Sequence, residues 1–173
     1  MEDLLIFDTE TNGLRYPRMM QIAWIMNGEE KMFYISDLDE NLNVEIGVPH
    51  NITKDYCKAN GIMFNDMYNK FKQDILKSKK IMAYNIKFDI KVIMNELTSR
   101  NMLNELEEFE NNIKDKKVCL MQKYKDVMKL KRVVKLKNMY YALTNCEENI
   151  EFHDALEDTR VALTCAQILQ EHI

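Results

Sequence analysis

Two apolar runs, residues 19–26 (MMQIAWIM) and 31–35 (KMFYI), flank the dipeptide Asn27-Gly28. No other feature narrows the fold of this chain as much. Both turn residues tolerate positive φ, so the pair predicts a tight hairpin between antiparallel strands. A further apolar block, Leu4 to Phe7, ends in Asp8 with the profile of a central strand. Helical spacing takes over after Pro49, where Met63, Met67, Phe71 and Ile75 recur at four-residue intervals. Residues 81–84 read as a short strand, and residues 86–97 as a helix with Ile86, Ile90, Ile93 and Leu97 on one face. A fifth strand is predicted over 118–121 and two helices within 122–131 and 135–144. A last helix runs from near His153 to Gln170. Three leading strands, then helices alternating with strands, predict an α/β domain with a mixed sheet.

Repeats and linkers are not evident, and only two Pro and four Gly occur in 173 residues, so a single domain over 1–173 is expected. No stretch approaches the roughly 18 apolar residues of a membrane span. The acidic start Met1-Glu2-Asp3 lacks the pattern of a signal peptide. A soluble, cytoplasmic protein without a membrane partner is the expectation. Cys57, Cys119, Cys146 and Cys165 form no C-x-x-C pair, which argues against zinc and for small buried apolar residues. Net charge is -4, but residues 114–137 carry nine Lys and one Arg against Asp115 and Asp126. Such a basic stripe on an acidic body suits an anionic polymer, or is simply a solvated helix face.

Carboxylates stand where apolar residues belong. Asp8 and Glu10, two apart on an extended segment, point to the same face. At 100° per residue Asp89 falls inside the apolar arc of the 86–97 helix, near Ile86, Ile90 and Ile93. Asp158 repeats the anomaly on the last helix, among Ala155, Ala162, Cys165 and Leu169. An unpaired ionised carboxylate in such a place costs several kcal/mol. Either each has its own structural partner or the four share one site. Bound divalent ions would neutralise all of them, and hard oxygen donors favour Mg²⁺ or Mn²⁺. His153, five residues before Asp158, is a candidate general base. His50 and His172 have no evident acidic company.

These residues, in this order, resemble the DEDDh group of 3′-to-5′ exonucleases, the DnaQ-like proofreading family with a ribonuclease H-like fold. Asp8-Thr9-Glu10-Thr11-Asn12-Gly13-Leu14 is similar to its first motif, Tyr84-Asn85-Ile86-Lys87-Phe88-Asp89 to its second and His153-Asp154-Ala155-Leu156-Glu157-Asp158 to its third. Weaker echoes are Gln21-Ile22-Ala23 and His50-Asn51-Ile52-Thr53. The resemblance implies a five-stranded mixed sheet flanked by helices. It implies two divalent cations, Mg²⁺ or Mn²⁺, held by Asp8, Glu10, Asp89 and Asp158, with His153 as the base. It also implies a terminal-nucleotide pocket made by Thr11, Asn12, Gly13 and Leu14, with Asn85 and Phe88 lining or supporting it. The expected substrate is the 3′ end of single-stranded or frayed DNA, or of RNA, and the expected product a nucleoside 5′-monophosphate. Attachment to a polymerase, or a non-catalytic 3′-end-binding role, are the alternatives. Tyr84 stands where the family often has histidine, and Asn12 replaces a common threonine. The 114–137 stripe lies between the second and third motifs, and contact with the phosphates of an incoming strand is one expectation for it, a solvated helix face the other.

Overall fold

A computed structural model describes residues 3–146 and 152–170. Its five strands are β1 (Leu4–Thr11), β2 (Met19–Met26), β3 (Glu29–Tyr34), β4 (Lys80–Ala83) and β5 (Lys117–Cys119), in the spatial order β3-β2-β1-β4-β5. The first three form an antiparallel meander, turning at Asn27 (φ 51) and Gly28 (φ 84) as their tolerance of positive φ predicts. β4 and β5 run parallel to β1 and are reached through helices. The mixed α/β sheet inferred from the residue pattern is therefore the sheet observed.

Alternation along β1 divides the core in two. Leu5 and Phe7 point to a layer that includes α2 (Phe64–Lys77), α3 (Ile86–Ser99) and α4 (Leu103–Ile113). There Phe71 meets Phe7 and Trp24 with ring centroids 5.3 and 5.1 Å apart. Leu4 and Ile6 point the other way, against α6 (Leu136–Thr144) and α7 (Ala155–Ile168). Each large side chain buried in this manner contributes roughly 1.5–3 kcal/mol.

Several boundaries differ from the pattern reading. β1 does not stop at Asp8 but stays paired with β2 as far as Thr11, with a register irregularity between Glu10 and Thr11. β5 ends at Cys119, because Leu120 already opens α5 (Leu120–Val127), which in turn stops short of residue 131. Two helices, α1 (Lys54–Asn60) and α4, lie in stretches where periodicity signalled none. α1 buries only Cys57 and α4 only Phe109 and Ile113, too few apolar positions to declare a face. No disulfide joins the cysteines among the described residues; Cys57 and Cys165 are buried, whereas Cys119 and Cys146 are only half-buried.

One buried ion network braces the approach to the site. Glu96 of α3 is fully buried; its carboxylate accepts from Arg18 Nε at 2.7 Å, from the Met19 amide at 2.9 Å and from Arg100 Nε at 3.0 Å. Arg100 continues to the Asp37 carboxylate. The segment between β1 and β2 is thereby fastened to α3.

Candidate active site

The period-2 pleat puts Asp8 and Glu10 on the side of Leu4 and Ile6, facing α7. α3, on the opposite layer, carries Asp89 in its first turn, and α7 carries Asp158 in its first turn. Both helix starts reach the C-terminal end of β1, where their positive dipole ends favour negative charge. All four carboxylates and His153 line one cavity of about 470 Å³.

Within it, Thr9 fastens Asp89: its amide and hydroxyl donate to Asp89 Oδ1 at 3.2 and 2.8 Å. The His153 amide donates to Asp158 Oδ2 at 3.3 Å, whereas Asp158 Oδ1 is buried and accepts from nothing. Ligand-type atoms of Glu10, His153 and Asp158 lie within 4.8 Å of one another. A carboxylate oxygen left without a donor beside further acidic groups fits a bound cation and fits no protein partner among the described residues. The donor set around it is oxygen with one imidazole nitrogen, suited to a hard divalent ion.

Burial and mutual repulsion raise these acids. Burial, then Asp89, Asp158, Glu10 and Asp154, push Asp8 well above the carboxylate range. Burial foremost, then Asp158, Asp154 and Asp89, raise Glu10 to about 8. Burial raises Asp89 to about 7 against the pull of its Thr9 hydrogen bonds, and Asp158 to about 6 against that of the His153 amide. Groups with raised folded pKa contribute stability below their unfolded pKa and lose it as pH rises through the folded value. Metal-free protein is thus expected to melt at progressively lower temperature from about pH 4, near the unfolded carboxylate values, to about pH 8. Added Mn²⁺ should raise the melting temperature much more at pH 8 than at about pH 5.5. Scanning calorimetry with chelator and with Mn²⁺ checks this; equal metal shifts at both pH values would separate the carboxylates from the ion.

His153 reaches solvent with φ 78, left-handed backbone that non-glycine residues seldom adopt. Partial burial of its ring, with His50 and Lys135 nearby, holds its pKa below the usual histidine value. The next residue, Asp154, caps α7 by accepting from the Leu156 and Glu157 amides. Gln21 donates to Asp154 at 2.9 Å and accepts from the Ala155 amide at 3.0 Å, pinning the helix start to β2.

Thr11, Gly13, Leu14, Asn85 and Phe88 line the same cavity, with Leu14 74% exposed at its mouth. Asn12 does not. Its amide donates to the Asn43 carbonyl and its oxygen accepts from the Arg18 amide, so the side chain is spent on bracing the loop. Three contributors escaped the sequence reading. Thr9 sits inside the first motif, where nothing in its residue type points to Asp89. His50 donates from Nε2 to the Thr11 carbonyl (2.7 Å), since its Nδ1 accepts from the Ile52 amide. Glu45 accepts from the Leu14 and Arg15 amides, and a Cβ on Gly13 would sit 2.1 Å from its carboxyl carbon. Thr9 and His50 lie in stretches that the motif likeness covers; Glu45 offered no signal in the sequence.

A larger cleft, about 690 Å³, lies at the other end of β1 beside Leu4. Among the described residues its one carboxylate, Asp3, is already paired with Lys79 at 2.8 Å, so they gather no comparable chemistry there.

A family model described as Exonuclease matches residues 5–166. No curated protein sequence matches. Among solved structures, E. coli Exonuclease I in complex with a dA16 oligonucleotide superposes with TM-score 0.74 at 20% identity, covering 99% of this chain and 41% of that one. Exonuclease X in complex with 5′ overhanging duplex DNA gives TM-score 0.61 at 19% identity, covering 97% and 92%. A 3′-exonuclease recognising the histone mRNA stem-loop gives 0.70 at 15%, covering 98% and 64%. The chain thus spans about two fifths of the Exonuclease I chain, and at these identities the likeness is one of fold. No helix among the described residues is long and apolar enough to cross a membrane.

Proposed function

The chain belongs to the Exonuclease family whose model it matches over residues 5–166, and from that premise we propose that it is a metal-dependent 3′-to-5′ exonuclease. It removes nucleoside 5′-monophosphates from single-stranded or frayed ends, with DNA favoured over RNA. The observation that carries this reading is the unpartnered Asp158 Oδ1 inside a cavity lined by Asp8, Glu10 and Asp89. Side chains with no reason to tolerate one another have one if they hold cations.

Two divalent ions, Mg²⁺ or Mn²⁺, would supply the charge that stabilises attacking and leaving oxygens in an in-line displacement at phosphorus. Asp8, Glu10, Asp89 and Asp158 would hold them, and Thr9 keeps Asp89 oriented. His153, with its pKa held down, is neutral near pH 7 and accepts a proton from the attacking water at a ring nitrogen. Thr11, Gly13 and Leu14, with Asn85 and Phe88, receive the terminal nucleotide. Leu14 offers an apolar surface to its base.

The test is digestion of DNA and RNA oligonucleotides labelled at the 3′ or the 5′ end, with Mn²⁺ and with chelator. We expect rapid metal-dependent release of 3′ label as mononucleotide, and a 5′-labelled ladder that shortens stepwise. Absence of mononucleotide from every oligomer would leave a non-catalytic 3′-end-binding module in its place. Faster loss from RNA would reverse the sugar preference.

A further inference from the structure

Besides the terminal pocket, two grooves leave the acidic cluster, and both include His153. One, about 540 Å³, is walled by Tyr84, Met121 and residues 133–137 and reaches Asp8 and Asp158 themselves. The other, about 510 Å³, passes Tyr34, Tyr56 and Asp154. Phe152 stands in the wall of both. Charge separates them. The first contains Lys135 and Lys137; among the described residues lining the second there is no Lys or Arg, and its carboxylate is Asp154. A polyanion leaving the cluster is drawn into the first and repelled from the second.

Resting on the exonuclease reading, we propose that the Lys135–Lys137 groove is the subsite for the nucleotide immediately 5′ of the scissile phosphate. Lys135 and Lys137 take that nucleotide's own 5′ phosphate, and its unpaired base lies against Phe152 and Val133. Val133 is 42% exposed, and the Lys137 ammonium lies 5.8 Å from the Phe152 ring centroid, so cation and apolar wall adjoin. The segment is anchored, because the Tyr84 hydroxyl donates to the Val134 carbonyl. This gives Tyr84, the departure from the histidine common in the family, a positioning task. An apolar wall beside phosphate-binding cations is how proteins hold single strands, whose bases have free faces.

The fold also divides the basic stripe. Lys117 opens β5, which runs parallel to β4 and β1, so it lies at the end of the sheet away from the cluster. Lys116 donates to the Ile75 carbonyl at 2.9 Å. Neither lines the groove, and nor do Lys123 or Lys125 of α5.

In a dinucleotide the 5′ nucleoside carries no phosphate for these lysines; in a trinucleotide it does. Binding of unlabelled oligothymidylates of two, three and ten nucleotides, each with a free 5′ hydroxyl, is measured by isothermal titration calorimetry in Ca²⁺. The proteins compared are wild type, a Lys135→Gln/Lys137→Gln variant and a Lys114→Gln/Lys117→Gln control, each checked for folding by circular dichroism. Neutralising Lys135 and Lys137 should weaken trinucleotide and ten-nucleotide binding about tenfold or more. It should also flatten the slope of log affinity against log salt by roughly 0.7, for the one phosphate that the two lysines share. The dinucleotide should change much less, and the control variant should bind like wild type. Equal losses on two and three nucleotides, no loss on any, or an equal loss in the control would overturn the subsite. Cleavage in Mn²⁺ is scored separately. Wild-type protein showing the length step without releasing mononucleotide would sink the exonuclease reading and leave the groove standing; cleavage without the step would do the reverse.

Discussion

Replacing Asp158 with Asn should abolish cleavage and yet leave the metal-free protein at least as stable as wild type. These two effects point in opposite directions for one physical reason. Asp158 Oδ1 is buried without a donor, and the pKa of the group is raised to about 6, chiefly by burial. Holding it ionised at pH 8 therefore costs on the order of 2–3 kcal/mol relative to the unfolded chain. The Asn side chain removes the charge while its oxygen can still accept from the His153 amide, so the metal-free variant should melt no lower than wild type and up to several degrees higher. Catalysis loses a ligand oxygen. With several kcal/mol of charge stabilisation at stake, the rate in Mn²⁺ should fall by about 10³-fold or more. Thermal unfolding in chelator beside single-turnover cleavage reads both effects. A metal-free variant that melts below wild type would make Asp158 a structural carboxylate after all.

His153→Ala should lower kcat by roughly 10²–10⁴ if the imidazole is the base. The pH profile carries the sharper content. A base must be unprotonated to work, so the wild-type rate at saturating Mn²⁺ should fall on the acid side, below the ordinary histidine range because the pKa of His153 is depressed. The variant should lose that limb. Since His153 also stands with Glu10 and Asp158 in a group able to hold an ion, Mn²⁺ affinity is measured in the same variant. Retained affinity with a lower, pH-flat rate identifies a base. A loss of affinity that accounts for the whole rate defect identifies a ligand instead.

The acidic residues of the cluster were legible because they break a pattern. Asp89 and Asp158 interrupt apolar arcs that their helices otherwise keep, and a buried charge has to be compensated somewhere. Asn12 was legible only as part of a motif, and the fold turns its side chain away to Asn43 and Arg18. Glu45 and the division of the basic stripe left no local trace, since a lysine facing the cluster and one at the far end of β5 look alike in sequence. α1 and α4 were hidden for a related reason: helices that bury one or two residues show no periodicity.

By itself the sequence determined the strands, the hairpin, most of the helices and the identity of the misplaced carboxylates. These follow from side-chain alternation and helical repeat, which act over a few residues. Only the tertiary structure decided that Asp89 would meet Thr9 across 80 residues and that Gln21 would hold Asp154 across 133. It alone decided which lysines face the cluster. Such meetings depend on how helices on opposite layers end over one strand, and that is set by packing of the whole core, to which no short stretch of chain has access.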